Sequence, residues 1–260
     1  MKNEKAKLSL SDDLKSKWYA LWFDSPYYHL LYAHRSQDEA DKFIRNLVHK
    51  LEIKRGSKVL DLACGSGRHA AALAEYGLIV TGKDLSLNNI KRASLLSKVG
   101  LRFIQGDMLQ ASPDFNYDYV MSLFTSFGYF DTQEENRKVV RAVADSLLED
   151  GKWIIDYLNP GWVLDHLVAE ESIERGDIIF TINKEIKNNA VYKHIHFTVE
   201  GHSYSFTEQV KLYTLTDIRM LLAPHFTIEM AYGNYELAPY VAASPRMIIL
   251  AKKDGYVDGK

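Results

Sequence analysis

The stretch Val59-Leu60-Asp61-Leu62-Ala63-Cys64-Gly65-Ser66-Gly67-Arg68-His69-Ala70 constrains this chain more than any other. It reads as a short buried strand, a turn with two glycines, and the start of a helix. Glycine has no Cβ, so the backbone N–H groups of such a turn can approach a ligand closely. The helix that follows points its positive end at the same place. The pattern Gly65-x-Gly67-x-x-Ala70 alone also suits a tight strand–helix turn that holds nothing. Two carboxylates add to it. Asp61 lies four residues before Gly65, and Asp84 falls 84 − 61 = 23 residues later, at the end of the next predicted strand.

The pattern around that turn alternates strand and helix. Strands are expected at residues 58–62, 78–81, 101–105, 117–123 and 152–158. Ser36-Gln37-Asp38-Glu39 and Thr132-Gln133-Glu134-Glu135 have the form of capping boxes. The first precedes Phe43, Ile44, Leu47, Val48 and Leu51 at helical spacing, the second a helix running through Leu148. Further helices are expected from Gly67 to near Gly77 and from Ser86 to about Lys98. This order predicts an α/β fold, a doubly wound, Rossmann-like and mostly parallel sheet with right-handed crossovers. Ligands of such sheets sit outside the carboxyl ends of the strands. Asp61, Asp84, Asp107 and Leu123 all fall there.

After Pro160 the period changes to two. Residues 177–187, 190–200 and 202–213 read as three antiparallel strands inserted after the fifth strand, with turns at Asn188-Asn189 and Gly201. Thr214 to Asp217 opens a last helix, and residues 226–232 and 246–252 close the sheet. The expected division is an aromatic N-terminal lid at 1–35, a ligand-binding core at 36–165 and 214–260, and an inserted sheet at 166–213 that covers the site. Residues 1–17 are polar and expected to fray. The cluster Trp18 to Tyr32 must be buried against something, as helices packed on the core or as a lid.

Composition narrows the function classes. Of 260 residues, 47% are hydrophobic and 25% charged, so a globular chain is expected and disorder is disfavoured. No stretch approaches the ~20 apolar residues of a membrane span, and no signal peptide is visible. A net charge of −2 gives no overall pull toward nucleic acid or anionic membrane. Cys64 is the one cysteine, so no intramolecular disulfide can form, which suits a reducing cytoplasm.

Two ligands fit a rim with these carboxylates, a dinucleotide and S-adenosylmethionine. Both carry a ribose diol for Asp84. Asp61 separates them: a carboxylate in the turn repels a pyrophosphate but favours an ammonium and a sulfonium. Asp107 suits an adenine amino group, or a plain turn or cap.

The elements Asp61-x-Ala63-x-Gly65-x-Gly67, Asp84 and Gly106-Asp107-Met108 resemble the cofactor motifs of class I S-adenosylmethionine-dependent methyltransferases. The resemblance runs from about residue 28 to 252 and implies their seven-stranded sheet. By it, Asp61, Ala63 and Gly65 hold the methionine part, Asp84 the ribose, and Asp107 with Met108 the adenine, with Cys64 and Leu85 as further cofactor-binding positions. Leu123 borders the cofactor. Ala63 stands where glycine is commonest, as in the glycine and amino-sugar N-methyltransferase branches, and Lys83 stands where an apolar residue is usual. The layout is similar to those small-molecule branches, which implies that Tyr32 and Arg35 reach the cofactor's carboxylate.

The implied reaction moves a methyl group by in-line displacement to nitrogen or oxygen of a small molecule, leaving S-adenosylhomocysteine. It needs no catalytic motif, and none is evident. Residues 123–130 follow the fourth strand and form either an aromatic acceptor pocket or loop packing. They lack the Asn/Asp-Pro-Pro-aromatic motif of enzymes that methylate base amines or glutamine. His29, Tyr157 and Tyr204 are acceptor-side candidates. His194 and His196 share a strand face without a third metal ligand, so no metal is expected. The alternatives are an RNA or tRNA methyltransferase, a non-catalytic S-adenosylmethionine-binding module, and a nicotinamide oxidoreductase, which Asp61 disfavours.

Overall fold

Strand β1 (Lys58–Leu62) shows how the sheet divides the molecule. In the computed structural model, which describes residues 17–114 and 116–255, only Lys58 of this strand is exposed. Successive side chains of a strand point to opposite faces. Val59 therefore joins a core built with Phe43, Ile44 and Leu47 of a helix at Gln37–Lys50 and with Ala70 and Leu73 of a helix at Arg68–Glu75. Leu60 joins the opposite core with Val139, Val140 and Val143 of the helix Gln133–Ser146. Each such buried side chain contributes about 1.5–3 kcal/mol relative to exposure. The charged segment 1–16, expected to fray, lies outside the described residues.

The strands in chain order are β1, β2 (Ile79–Asp84), β3 (Leu101–Gln105), β4 (Tyr117–Ser122), β5 (Leu147–Leu158), β6 (Glu170–Arg175), β7 (Ile178–Lys187), β8 (Ala190–Val199), β9 (His202–Lys211), β10 (Phe226–Tyr232) and β11 (Arg246–Lys253). Seven of them form one sheet in the order β10-β11-β5-β4-β1-β2-β3. Pairing is parallel from β5 to β3 and antiparallel where β11 meets β5 and β10. β6 to β9 form a separate antiparallel sheet.

The helices are α1 (Trp18–Phe23), α2 (Pro26–Leu31), α3 (Gln37–Lys50), α4 (Arg68–Glu75), α5 (Leu87–Ala93), α6 (Gln133–Ser146), α7 (Pro160–His166) and α8 (Leu215–Leu222). The aromatic N-terminal helices α1 and α2 find their cover in the second sheet. Trp22 and Leu31 are fully buried with Phe180, Ile182, Ile195 and Phe197.

Several local expectations change. The inserted sheet has four strands rather than three, because β6 reads Glu-Glu-Ser-Ile-Glu-Arg and only Ile173 faces the buried Phe180. The helix after Ser86 ends at Ala93, followed by one 3-10 turn, since Leu95 and Val99 have no face to bury and stay exposed. Leu147 is already extended and pairs with Tyr117, so β5 starts early and Asp150 at φ 62° takes up a register shift. α7 starts on Pro160 with Asn159 as its cap. At α3 only half of the expected box forms: Ser36 accepts the Glu39 amide, while the Glu39 carboxylate turns to Arg68. The box at Thr132–Glu135 is complete.

Candidate functional site

The ends of β1 to β4 converge with α1 and α2 on a cavity of about 510 Å3. Tyr32, Arg35, Ala63, Cys64, Gly65, Asp84, Leu85, Asp107, Met108 and Leu123 line it; Asp61 does not. Asp61 lies under the floor, 2% exposed, and its Oδ2 has no hydrogen-bond partner among the described residues. Burial, with the nearby Asp84 charge, pushes its carboxyl up to about 7.

The floor depends on unusual backbone. Ala63, Gly65 and Gly67 take φ values of 60°, 55° and 87°. A Cβ on Gly65 would meet nothing within 4 Å, because that face opens to the cavity. A Cβ on Gly67 would lie 2.7 Å from the Phe103 ring, so glycine is required there by both conformation and space.

Asp84 fastens the turn. It accepts the Gly65 amide at 2.8 Å, the Ser86 amide at 2.9 Å and the Asn89 side-chain amide at 3.2 Å. Burial raises its carboxyl, and these donors oppose the rise. Lys83, standing where an apolar residue is usual, is buried at 3% exposure and donates to the Gln110 carbonyl at 2.6 Å. Burial lowers its ammonium to about 8, against the pull of Asp107. Asp107 accepts the Leu109 amide at 2.9 Å, an Asx turn. His69 is buried beside Arg68 and Arg35; burial first, then those charges, hold it down to about 3 and hence neutral.

Helices α1 and α2 are pinned to this rim by contacts that the sequence did not reveal. Asp24 accepts from the Ser86 hydroxyl, from the Asn88 amide at 3.2 Å and from the Asn88 side chain at 3.0 Å. Because Asn89 donates to Asp84, its oxygen accepts from His29 Nε2 at 2.8 Å. The Tyr32 hydroxyl donates to Glu208 at 2.7 Å and accepts from Lys193, while the residue lines the cavity. Trp22 also donates to Glu208, at 2.6 Å. Arg35 donates to the Tyr28 hydroxyl at 3.0 Å and stacks 3.7 Å over the Tyr32 ring. No carboxylate lies within ion-pair distance of it among the described residues.

Of residues 123–130, Leu123, Phe124, Ser126, Tyr129 and Phe130 reach the cavity. Of the acceptor-side candidates only His29 does. Tyr157 is buried with its hydroxyl on the Lys211 carbonyl, and Tyr204 packs on Tyr27 and Phe197 in the second sheet. His194 is engaged by Thr207 and Glu185. No helix of the described residues is long and apolar enough to cross a membrane.

A methyltransferase domain model matches residues 59–151, the segment from β1 into β5 that builds the cavity floor. The chain is 28% identical over 200 residues to a dTDP-3-amino-3,4,6-trideoxy-alpha-D-glucopyranose N,N-dimethyltransferase of Streptomyces venezuelae, covering 72% of this chain and 81% of that one. It is 30% identical over 138 residues to a glycine/sarcosine N-methyltransferase of Halorhodospira halochloris, covering 51% of this chain and only 50% of that one. An S-adenosylmethionine-dependent methyltransferase from Clostridium acetobutylicum shares the fold, with a TM-score of 0.73, 20% identity, and coverage of 88% of this chain and 96% of the other. With the seven-stranded order and the matched floor, residues 59–151 form a methyltransferase domain.

Proposed function

We propose that the protein transfers a methyl group from S-adenosylmethionine to a nitrogen or oxygen of a small molecule. The observation that carries this reading is the Asp61 carboxylate, buried under the floor with one oxygen unpartnered among the described residues. An unpaired buried carboxyl is costly, and a cationic ligand above the floor offsets that cost, whereas a pyrophosphate would aggravate it. Arg35, without a carboxylate of its own, suits the cofactor's carboxylate. Asp84 with Leu85 would hold the ribose, and Asp107 with Met108 the adenine. Ala63, Cys64, Gly65 and Leu123 would shape the walls around the sulfur end. Tyr32 would take part through its ring, since its hydroxyl is held by Glu208.

Bound there, the cofactor supplies an electrophilic methyl group on a sulfonium. The chain's own part is alignment and exclusion of water, and orientation of this kind is worth on the order of 7–11 kcal/mol. Residues 17–35 act as the lid, and the inserted sheet is the base on which the lid rests. The aromatic walls Tyr129 and Phe130 suit an acceptor with an apolar face. Relatives named for amino-sugar and glycine/sarcosine N-methylation favour an amine acceptor. A cytoplasmic location is proposed from the single buried thiol, Cys64.

Incubation with methyl-labelled S-adenosylmethionine and separate pools of amines, amino sugars, hydroxy acids and RNA tests the reading. Label in a small amine or hydroxyl compound is expected. Label only in RNA would replace it with nucleic-acid methylation, and cofactor binding with no transfer to any pool would leave a binding module.

A further inference from the structure

Two consecutive non-glycine residues after β4, Phe124 and Thr125, take φ values of 60° and 61°. Left-handed backbone is sterically costly for residues with a Cβ and more so for a β-branched one. Such strain persists only where its surroundings over-determine it. Here one ion pair does so. Asp156, fully buried in β5, accepts the Phe124 amide through Oδ2 at 2.8 Å and the Thr125 amide through its backbone carbonyl at 2.9 Å. Arg246, the first residue of β11, donates to Asp156 Oδ1 at 2.8 Å and 2.6 Å and to the Thr125 hydroxyl at 2.8 Å. Tyr235 completes the set with a hydroxyl 3.2 Å from Asp156 Oδ2.

The strained turn presents the Phe124 ring to the cavity, where three guanidinium groups gather on it. Arg35 lies 4.3 Å, Arg68 5.1 Å and Arg246 6.0 Å from its centroid. Cations within about 6 Å of an aromatic face are attracted to it. Arg246 is balanced by Asp156 and Arg68 by Glu39, which leaves Arg35 with its charge directed along the ring. Phe124 is thus a shared platform for the cationic end of the cavity, next to the turn Ala63–Gly65.

The geometry points to Asp156 and Arg246 as positioning residues for the amino-acid end of the cofactor: they hold Phe124 in its strained conformation, and Phe124 sets the place of Arg35. This rests on the proposed use of the cavity for S-adenosylmethionine. The two residues touch no ligand themselves; they act through the ring.

Calorimetry with two probes tests it. S-adenosylhomocysteine has the amino-acid end, and 5′-methylthioadenosine lacks it while keeping the thioether and adenosine. Arg246→Met and Phe124→Leu should each weaken S-adenosylhomocysteine roughly tenfold or more and leave 5′-methylthioadenosine within about twofold. Phe124→Leu keeps an apolar side chain of similar reach, so it serves if Arg246→Met fails to fold. Equal weakening of both probes, or no change in either, overturns the proposal. A wild-type protein that binds neither probe would overturn the cofactor reading itself, a different result.

Discussion

The Asp84 carboxylate accepts the Gly65 amide at 2.8 Å, tying the end of β2 to the turn that follows β1. The ribose candidate and the glycine turn are therefore one unit. Its third partner, Asn89, extends the unit to His29 on α2.

Asp84→Ala should cost about 1–3 kcal/mol of S-adenosylhomocysteine binding, the range for removing a charged hydrogen-bond partner. Thermal stability should fall as well, because Gly65, Ser86 and Asn89 lose their acceptor together. Asp84→Asn keeps an acceptor oxygen and should lose less of both. Calorimetry and thermal melts on the two variants check this; an unchanged affinity in Asp84→Ala would move the ribose elsewhere.

Gly67→Ala should destabilise the fold itself. The left-handed conformation costs roughly 1–2 kcal/mol for alanine, and forcing a methyl into a packed site adds about 1–3 kcal/mol. The methyl would stand 2.7 Å from two atoms of the Phe103 ring. A fall in melting temperature on the order of 5–10 °C is expected for a chain of this size. Gly65→Ala carries the same left-handed cost but meets no obstacle in space, so it should destabilise less than Gly67→Ala while its methyl intrudes on ligand binding.

These two glycines illustrate what the sequence made legible. The rim is built from local patterns, a strand end followed by Asp or Gly, so Asp61, Asp84 and Asp107 were visible without any structure. The lid's anchors were not. Glu208 lies 186 residues from Trp22, and Asp24 lies 62 from Ser86, and no local spacing encodes such pairs. The Asp156–Arg246 pair spans 90 residues for the same reason. β6 escaped because its inward face carries Glu171, Ile173 and Arg175, and a single apolar residue gives no hydrophobic period to detect. The Tyr32–Glu208 bond was equally hidden, since only the inserted sheet supplies Glu208.

Glu208→Ala should loosen the lid without unfolding the core. It leaves the Trp22 indole and the Tyr32 hydroxyl without their acceptor and removes the carboxylate 4.0 Å from Lys193. Each unsatisfied buried group costs about 1–3 kcal/mol. Hydrogen exchange should rise across α1 and α2 while amides of β1, β4 and β5 stay protected. Equal loss of protection in both regions would mean that the lid and the core unfold together.

Protonation of Asp61 should link pH to stability and to binding. Its folded pKa of about 7 lies above the ~3.9 of an unfolded aspartate. The stability it contributes is fully present below about pH 4 and is lost as pH rises to about 7. Asp84, also raised, acts with the same sign. Asp61→Asn should flatten this slope in urea unfolding measured between pH 4.5 and 7.5. The ammonium of S-adenosylhomocysteine favours the ionised carboxylate, so its binding near pH 6.5 should release protons, read from the buffer dependence of the binding enthalpy. That release should shrink in Asp61→Asn; release of equal size in the variant would assign it to another group.

The cofactor assignment is decided most directly by titrating the wild-type protein with S-adenosylhomocysteine and, separately, with NAD. A cavity floored by a buried carboxylate should bind S-adenosylhomocysteine saturably and give no heat with NAD. Saturable NAD binding, with no response to S-adenosylhomocysteine, would contradict the assignment.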